Sequence, residues 1–551
     1  MPEFQFINLD LAPLHITKEG IANYYWPIKI GVVNEIKLSI ARDLIDLIKS
    51  LRAKNHFATV SLEISYLHIA NDLAMYAYAL ILSEHAKKNN TNNLFIPKSY
   101  QLTHCLIQNF PCPEFSLLTI LKRAKSRRSK FFLLLRALKY FFLDLKKGNI
   151  KIKNIVKLNN KNIVYVFAKN EYIDSYIDEN KKSRKLFFFK QLENIFYKAN
   201  VSCDELNNFP NEKKEELTII VENILSVVRN AYQTFRVTLP PSVEGHFREN
   251  IYKIFLYLDV YQNFLSKKEL KCPGEAWMDT SSCVWKMLLS NYYKTKGGSI
   301  VRFSHATGQG HFRKGGVING TYFCDLSKCD KFFLYSQGRL ENITTSDVKD
   351  LTRPKLPELH VFPLRKKYKK LLTLNEKVKK VMYASTIFPK ERPSFFLREY
   401  IYFDWVVRLL ANVERAGYQI TYKPHPLDKL DADYTLKIQS FFGNIVNCDS
   451  FENVYCNQDV IIVDYLASSI LVDLIFSNVP FVYIDLGMIP VDDKMFSLLR
   501  KRASVITGWI TEDNRVMIDW TELDRAIKSS VSHRNDTAYL NYFYNPSPLK
   551  Q

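Results

Sequence analysis

The chain has 551 residues with 47% hydrophobic and 24% charged side chains, enough apolar material for packed cores and too many residues for one ordinary core, so two α/β domains are expected. Seventeen glycines exclude fibrous and low-complexity classes. Lys+Arg outnumber Asp+Glu by 77 to 56, and the resulting +21 favours an anionic partner, whether lipid headgroups, nucleic acid or a charged glycan.

The opening Met1-Pro2-Glu3-Phe4-Gln5-Phe6 lacks the basic start and apolar stretch of a signal peptide, so a cytosolic location is expected. Residues 66–88 read as a long helix. A basic cluster at 122–130 precedes an apolar, aromatic run at 131–143 that Arg136 and Lys139 interrupt. It is shorter than the ~20 residues of a membrane span. Two readings stand side by side: an amphipathic segment lying on an anionic leaflet, or an ordinary helix with a solvated basic end. Residues 149–170 alternate lysine with isoleucine or valine, as edge strands do, and 181–217 reads as a charged helical insertion.

Further on, helix caps around Asp279, Thr280, Ser281 and Ser282 open a helix over 283–296 that Gly297-Gly298 stops. A strand at 299–303 then delivers Ser304-His305-Ala306-Thr307-Gly308-Gln309-Gly310-His311 at its carboxyl end, and 331–335 reads as another strand. That loop matches neither the Rossmann nor the Walker fingerprint. The segment 336–380, with Pro354, Pro357, Pro363 and the lysines of 366–370, reads as a connection. The boundaries expected are 1–345 for the first domain, with an insertion near 115–220, then 346–380 as linker and 381–551 for the second domain. Nine scattered cysteines without paired metal spacing read as reduced structural thiols.

The second domain carries the most pointed chemistry. A strand at 418–422 runs into Lys423-Pro424-His425-Pro426, and about forty residues later Ile461-Ile462-Val463-Asp464-Tyr465-Leu466-Ala467-Ser468-Ser469 precedes a helix-like run at 470–475 and a strand at 479–485. Both elements are expected at the carboxyl ends of neighbouring parallel strands, where open α/β sheets bind ligands. A histidine held by proline presents a short donor, and two serines at a helix start add hydroxyls to free backbone N–H groups and the positive end of the helix dipole. In isolation the same residues make a turn and a helix cap.

These residues resemble the donor half of GT-B glycosyltransferases of bacterial surface-polysaccharide synthesis. That group includes sialyltransferases and 3-deoxy-octulosonic acid transferases, which use CMP-sugars, and CDP-glycerol polymerases. The resemblance spans about 381–506. It implies an α/β fold of two Rossmann-like domains in GT-B arrangement, with a helical, basic insertion in the amino-terminal half. It further implies donor binding by Lys423, His425, Pro426, Asp464, Ser468 and Ser469. The loop after residue 303 resembles the H-G-G-G-x-G loop of related transferases, with Ala306 and Thr307 in place of two glycines; Thr307, Gly308 and Gly310 are its implied donor contacts.

Glycosyl transfer requires stabilisation of an oxocarbenium-like charge and, for inversion, a base at the acceptor hydroxyl. Asp279, His305 and Glu244 are the candidates; as structural residues they would be a helix cap, a polar strand-end residue and a solvated loop charge. Val243-Glu244-Gly245 resembles the acidic-acidic-glycine motif of some sialyltransferases, with Val243 in place of one acid. No metal or cofactor is implied, since Asp431-Ala432-Asp433 lies in a polar stretch rather than at a strand end. The reading is transfer of a sugar, preferably a CMP-linked ulosonic acid, to a glycan or lipid-linked glycan precursor of lipopolysaccharide or capsule, at or near the cytoplasmic face of the inner membrane. Alternatives are a CDP-glycerol-type polyol phosphotransferase, a non-catalytic glycan-binding relative, and a basic nucleic-acid-binding protein. Dispersed lysines and the lack of a nucleic-acid motif speak against the last, so no nucleic-acid partner is expected.

Overall fold

A computed structural model describes residues 16–21, 28–29, 31–51, 56–88, 102, 105–106, 112–123, 163–166, 173, 176–177, 185–188, 210–267, 274–279, 284–304, 326, 328–334, 340–341, 357–362, 378–386, 397, 399–426, 432–466, 469–487 and 491–543. The chain begins with a short antiparallel hairpin, β1 (Ile16–Thr17) and β2 (Gly20–Ile21), then helices α1 (Val32–Leu51), α2 (His56–Lys88) and α3 (Ser116–Arg123). Strands β3 (Ile163–Val166) and β4 (Lys185–Phe188) precede a helical pair, α4 (Asn211–Thr234) and α5 (Pro241–Lys267). Next come β5 (Glu275–Met278), α6 (Val284–Thr295), β6 (Ser299–Phe303), β7 (Lys331–Leu334) and β8 (Glu358–Val361).

Pro241 starts α5 where its missing N–H costs nothing. Phe247, Ile251, Ile254, Leu258, Tyr261 and Leu265 then recur every three or four residues as its buried stripe. Each such side chain stabilises the core by about 1.5–3 kcal/mol.

Strands β3 to β8 form one all-parallel sheet in the order β4-β3-β5-β6-β7-β8. Three expectations change here. The stretch 149–170 supplies β3, an interior strand rather than an edge. The region read as a helical insertion contributes β3 and the true edge strand β4. The segment read as a linker contributes the opposite edge, β8. Short runs of apolar residues among lysines look like surface until their pairing partners, more than a hundred residues away in the case of β3 and β5, are known.

The second sheet is built from β9 (Lys380–Ala384), β10 (Gln419–Lys423), β11 (Val460–Val463), β12 (Phe481–Asp485) and β13 (Ser504–Thr507). Between and after them lie α7 (Glu399–Arg415), α8 (Ala432–Phe442), α9 (Phe451–Val454), α10 (Ser469–Phe476), α11 (Asp493–Arg502), the antiparallel pair β14 (Trp509–Ile510) and β15 (Val516–Met517), α12 (Trp520–His533) and α13 (Ala538–Phe543). All five strands are parallel, in the order β10-β9-β11-β12-β13. Val381, Tyr383, Val460 and Ile462 point into one buried cluster and Met382, Ala384, Ile461 and Val463 into another, so both faces are covered. That is why β11 reads as an unbroken Val-Ile-Ile-Val.

The two sheets share one winding. In each, the first strand is flanked by the second on one side and the third on the other, the 2-1-3-4-5 order of doubly wound folds. The crevice where winding reverses direction lies between β3 and β5 in one sheet and between β9 and β11 in the other. The ends of the chain also cross over: the β1–β2 hairpin packs on α7, and Tyr542 of α13 donates a hydrogen bond to Glu341.

Candidate functional site

The carboxyl edge of the five-stranded sheet gathers polar groups at its reversal point. After β9 the chain continues into Ser385 and Thr386, both buried. The Ser385 amide donates to the Lys423 carbonyl at 3.1 Å, and its hydroxyl lies 3.1 Å from the Tyr422 hydroxyl. The Thr386 amide donates to Tyr402 Oη at 2.9 Å. Tyr402 and Trp405 are three residues apart on α7 and so share one helix face. From it they meet Asp464, which directly follows β11.

Asp464 is buried and accepts three hydrogen bonds: from Tyr383 Oη at 2.6 Å, Trp405 Nε1 at 3.1 Å and Tyr402 Oη at 3.3 Å. The two tyrosine hydroxyls also lie 2.9 Å apart. Burial pushes the Asp464 carboxyl up to about 6 even though these three donors pull the other way. Burial raises the Tyr383 and Tyr402 hydroxyls well above the usual phenol range. This knot ties β9, β11 and α7 together behind the crevice.

His425 stands beyond the end of β10, half-buried, with Pro424 before it and the exposed Pro426 after it. Burial, with Lys423 adding repulsion, holds its imidazole below the ordinary histidine range, so it is neutral at pH 7 and carries one donor and one acceptor. Lys423 is itself buried and donates to the Pro424 carbonyl at 3.1 Å. Helix α10 starts at Ser469, just past β11, with its N-terminus on this same edge. The expected adjacency of the His-Pro and Ser-Ser strands is corrected: β9 runs between β10 and β11. Its hydroxyl residues Tyr383, Ser385 and Thr386, and the Tyr402–Trp405 pair, went unnoticed in the sequence. The one signal was that Ser385-Thr386 follow an apolar strand as the serines follow β11.

Among the other candidates, Asp279 directly follows β5 at the reversal point of the six-stranded sheet and forms an ion pair with Lys286 of α6. Glu244 lies in the first turn of α5, where a loop was expected. Its carboxylate accepts from Arg229 Nη2 at 2.7 Å and Nε at 3.1 Å and from Arg248 Nη2 at 3.3 Å. The Arg229 hydrogen bonds, more than any other influence, hold it below the usual carboxylate range. His305, Thr307, Gly308, Gly310 and Ser468, with the basic segment after residue 123, lie outside the described residues. Among the described residues, no three His, Cys, Asp or Glu side chains converge as a metal site, and no helix is long and apolar enough to cross a membrane.

No family model matches the chain. A 121-residue stretch, 20% of this chain, is 33% identical to protein TIC 214, C-terminal part, of Marchantia polymorpha, and takes in 25% of that protein. Among solved structures, the S. aureus MnaA–UDP co-structure overlays 70% of this chain and 89% of its own, at 10% identity and a TM-score of 0.32. The UDP-GlcNAc 2-epimerase from Neisseria meningitidis bound to UDP-GlcNAc overlays 69% of this chain and 93% of its own, at 9% identity and a TM-score of 0.31. Both overlays are too loose to assign a ligand.

Proposed function

We propose that the chain binds a nucleotide-activated sugar across the carboxyl edge of the five-stranded sheet and transfers the sugar to a glycan or lipid-linked glycan acceptor. The observation that carries this reading is that His425, the Ser385-Thr386 segment and the start of α10 follow the carboxyl ends of three neighbouring strands, β10, β9 and β11, along the edge where doubly wound sheets bind ligands. A neutral imidazole donates to a phosphate oxygen or ribose hydroxyl, and the N-terminus of α10 offers backbone N–H groups to phosphate. Asp464 supports the wall of the crevice through Tyr383, Tyr402 and Trp405; it is a positioning residue in this scheme. Asp279, at the matching point of the other sheet, is the carboxylate we assign to acceptor activation. A CMP-linked ulosonic acid is the donor of first choice, on the strength of the Lys423-Pro424-His425-Pro426 and Asp464 to Ser469 elements.

Isothermal titration with CMP, CDP and UDP tests the reading. One of them should bind, and His425→Ala should weaken it about tenfold, the worth of one hydrogen bond to a charged group. Absence of binding by all three, or an unchanged affinity in His425→Ala, sinks it. Incubation with CMP-, CDP- and UDP-sugars without acceptor then names the donor by its slow hydrolysis.

A further inference from the structure

We infer that the β1–β2 hairpin at the amino end of the chain is a positioning element of the crevice in the carboxyl-terminal sheet, acting through α7. The contact is dense and remote in sequence. Asp404 on α7, 1% exposed, accepts from the Ile21 amide at 2.8 Å and from Arg515 Nη2 at 2.8 Å through Oδ1. Its Oδ2 accepts from Arg408 Nε at 2.8 Å and Arg515 Nε at 3.1 Å. Arg515 Nη2 also reaches the carbonyls of Ile21 at 3.3 Å and Glu19 at 3.4 Å, so one guanidinium grips hairpin and helix together. At the rim, Lys18 pairs with Glu414 at 2.5 Å and lies 4.8 Å from the Phe442 ring, while Arg415 pairs with Glu19 at 3.4 Å.

Gly20 makes this approach feasible. Its φ is +100°, and a Cβ there would strike Asp404 Oδ1 and come within 2.7 Å of Arg515 Nη2 and 2.9 Å of Arg408 Cδ. Asp404 sits between Tyr402 and Trp405 on α7, the two residues that hold Asp464. The hairpin therefore fixes one side of the helix whose other side forms the wall of the crevice. Its effect on ligand rests on the proposed function; its effect on α7 does not.

The test uses two full-length variants altered only in the hairpin. Gly20→Val adds the colliding side chain, and Ile21→Pro removes the amide that Asp404 accepts. Trp405 stacks on Trp520 with ring centroids 5.8 Å apart and an interplanar angle of 22°, which gives the pair its own near-ultraviolet circular dichroism, identified by difference against Trp405→Phe. Both variants should lose at least half of that Trp405 band while keeping a cooperative thermal transition, and should bind the nucleotide at least threefold more weakly. A full-strength Trp405 band in both variants overturns the inference. A hairpin-dependent band in a protein that binds none of the three nucleotides supports the positioning of α7 and removes the proposed function instead.

Discussion

The stability difference between wild-type protein and Asp464→Asn should shift by about 2–3 kcal/mol between pH 4 and pH 8, in favour of the variant as pH rises, because the folded carboxyl titrates near 6 against an ordinary 3.8. A carboxyl whose folded pKa is raised binds its proton more tightly in the native state. Its stabilising contribution is complete below about 3.8 and is lost as pH climbs through 6. Asparagine is isosteric and does not titrate. Its carbonyl oxygen replaces Oδ2 as acceptor for Tyr383 and Trp405, and its amide donates to Tyr402, so the knot keeps its hydrogen bonds. Urea unfolding of both proteins across this range isolates the one group, since all other titrations are shared. Parallel pH curves would show that Asp464 is ionised in the native protein as readily as in the unfolded chain.

Arg502→Met should cost about 3 kcal/mol. Arg502 is among the largest fully buried side chains, and its Nη2 donates to three carbonyls: Leu474 at 2.6 Å, Ser477 at 2.7 Å and Val479 at 3.0 Å. These belong to the last turns of α10 and the lead into β12, where helix carbonyls lack partners of their own. Methionine fills similar space and relieves the burial of charge that pulls the guanidinium down to about 10, yet it takes away the donor to the Ser477 and Val479 carbonyls and leaves Leu474 O only the Ser477 hydroxyl at 3.3 Å. Each such acceptor costs about 1–3 kcal/mol, which outweighs the relief. Arg502→Lys should recover about half the loss, because an ammonium keeps the charge and loses the fork. Hydrogen exchange should accelerate along α10 in the methionine variant; an unchanged urea midpoint in that variant contradicts this account.

What could be read in the sequence followed local signals. The strand at 299–303 is apolar and bracketed by Gly298 and Ser304, and β6 has those bounds. β11 and β12, buried on both faces, announced themselves by continuous apolar runs, Val-Ile-Ile-Val in one and Phe-Val-Tyr-Ile in the other. Glu244, whose structural alternative was a solvated loop charge, sits in a helix although the signal was present: Pro241 with an acid three residues on is a helix start. Strand order was beyond local signals altogether. Nothing near His425 or Asp464 says that residues 380–384 run between them, and the hydrogen bonds of Asp464 come from two elements 59 to 81 positions away.

That intervening strand sets a length. Neighbouring strands lie about 4.8 Å apart, so the ends of β10 and β11, two intervals distant, are separated by about 10 Å. Under the proposed function, the nucleoside and the phosphate of one donor would therefore sit at different strand ends, and the strand between them would set the length of molecule the edge accepts.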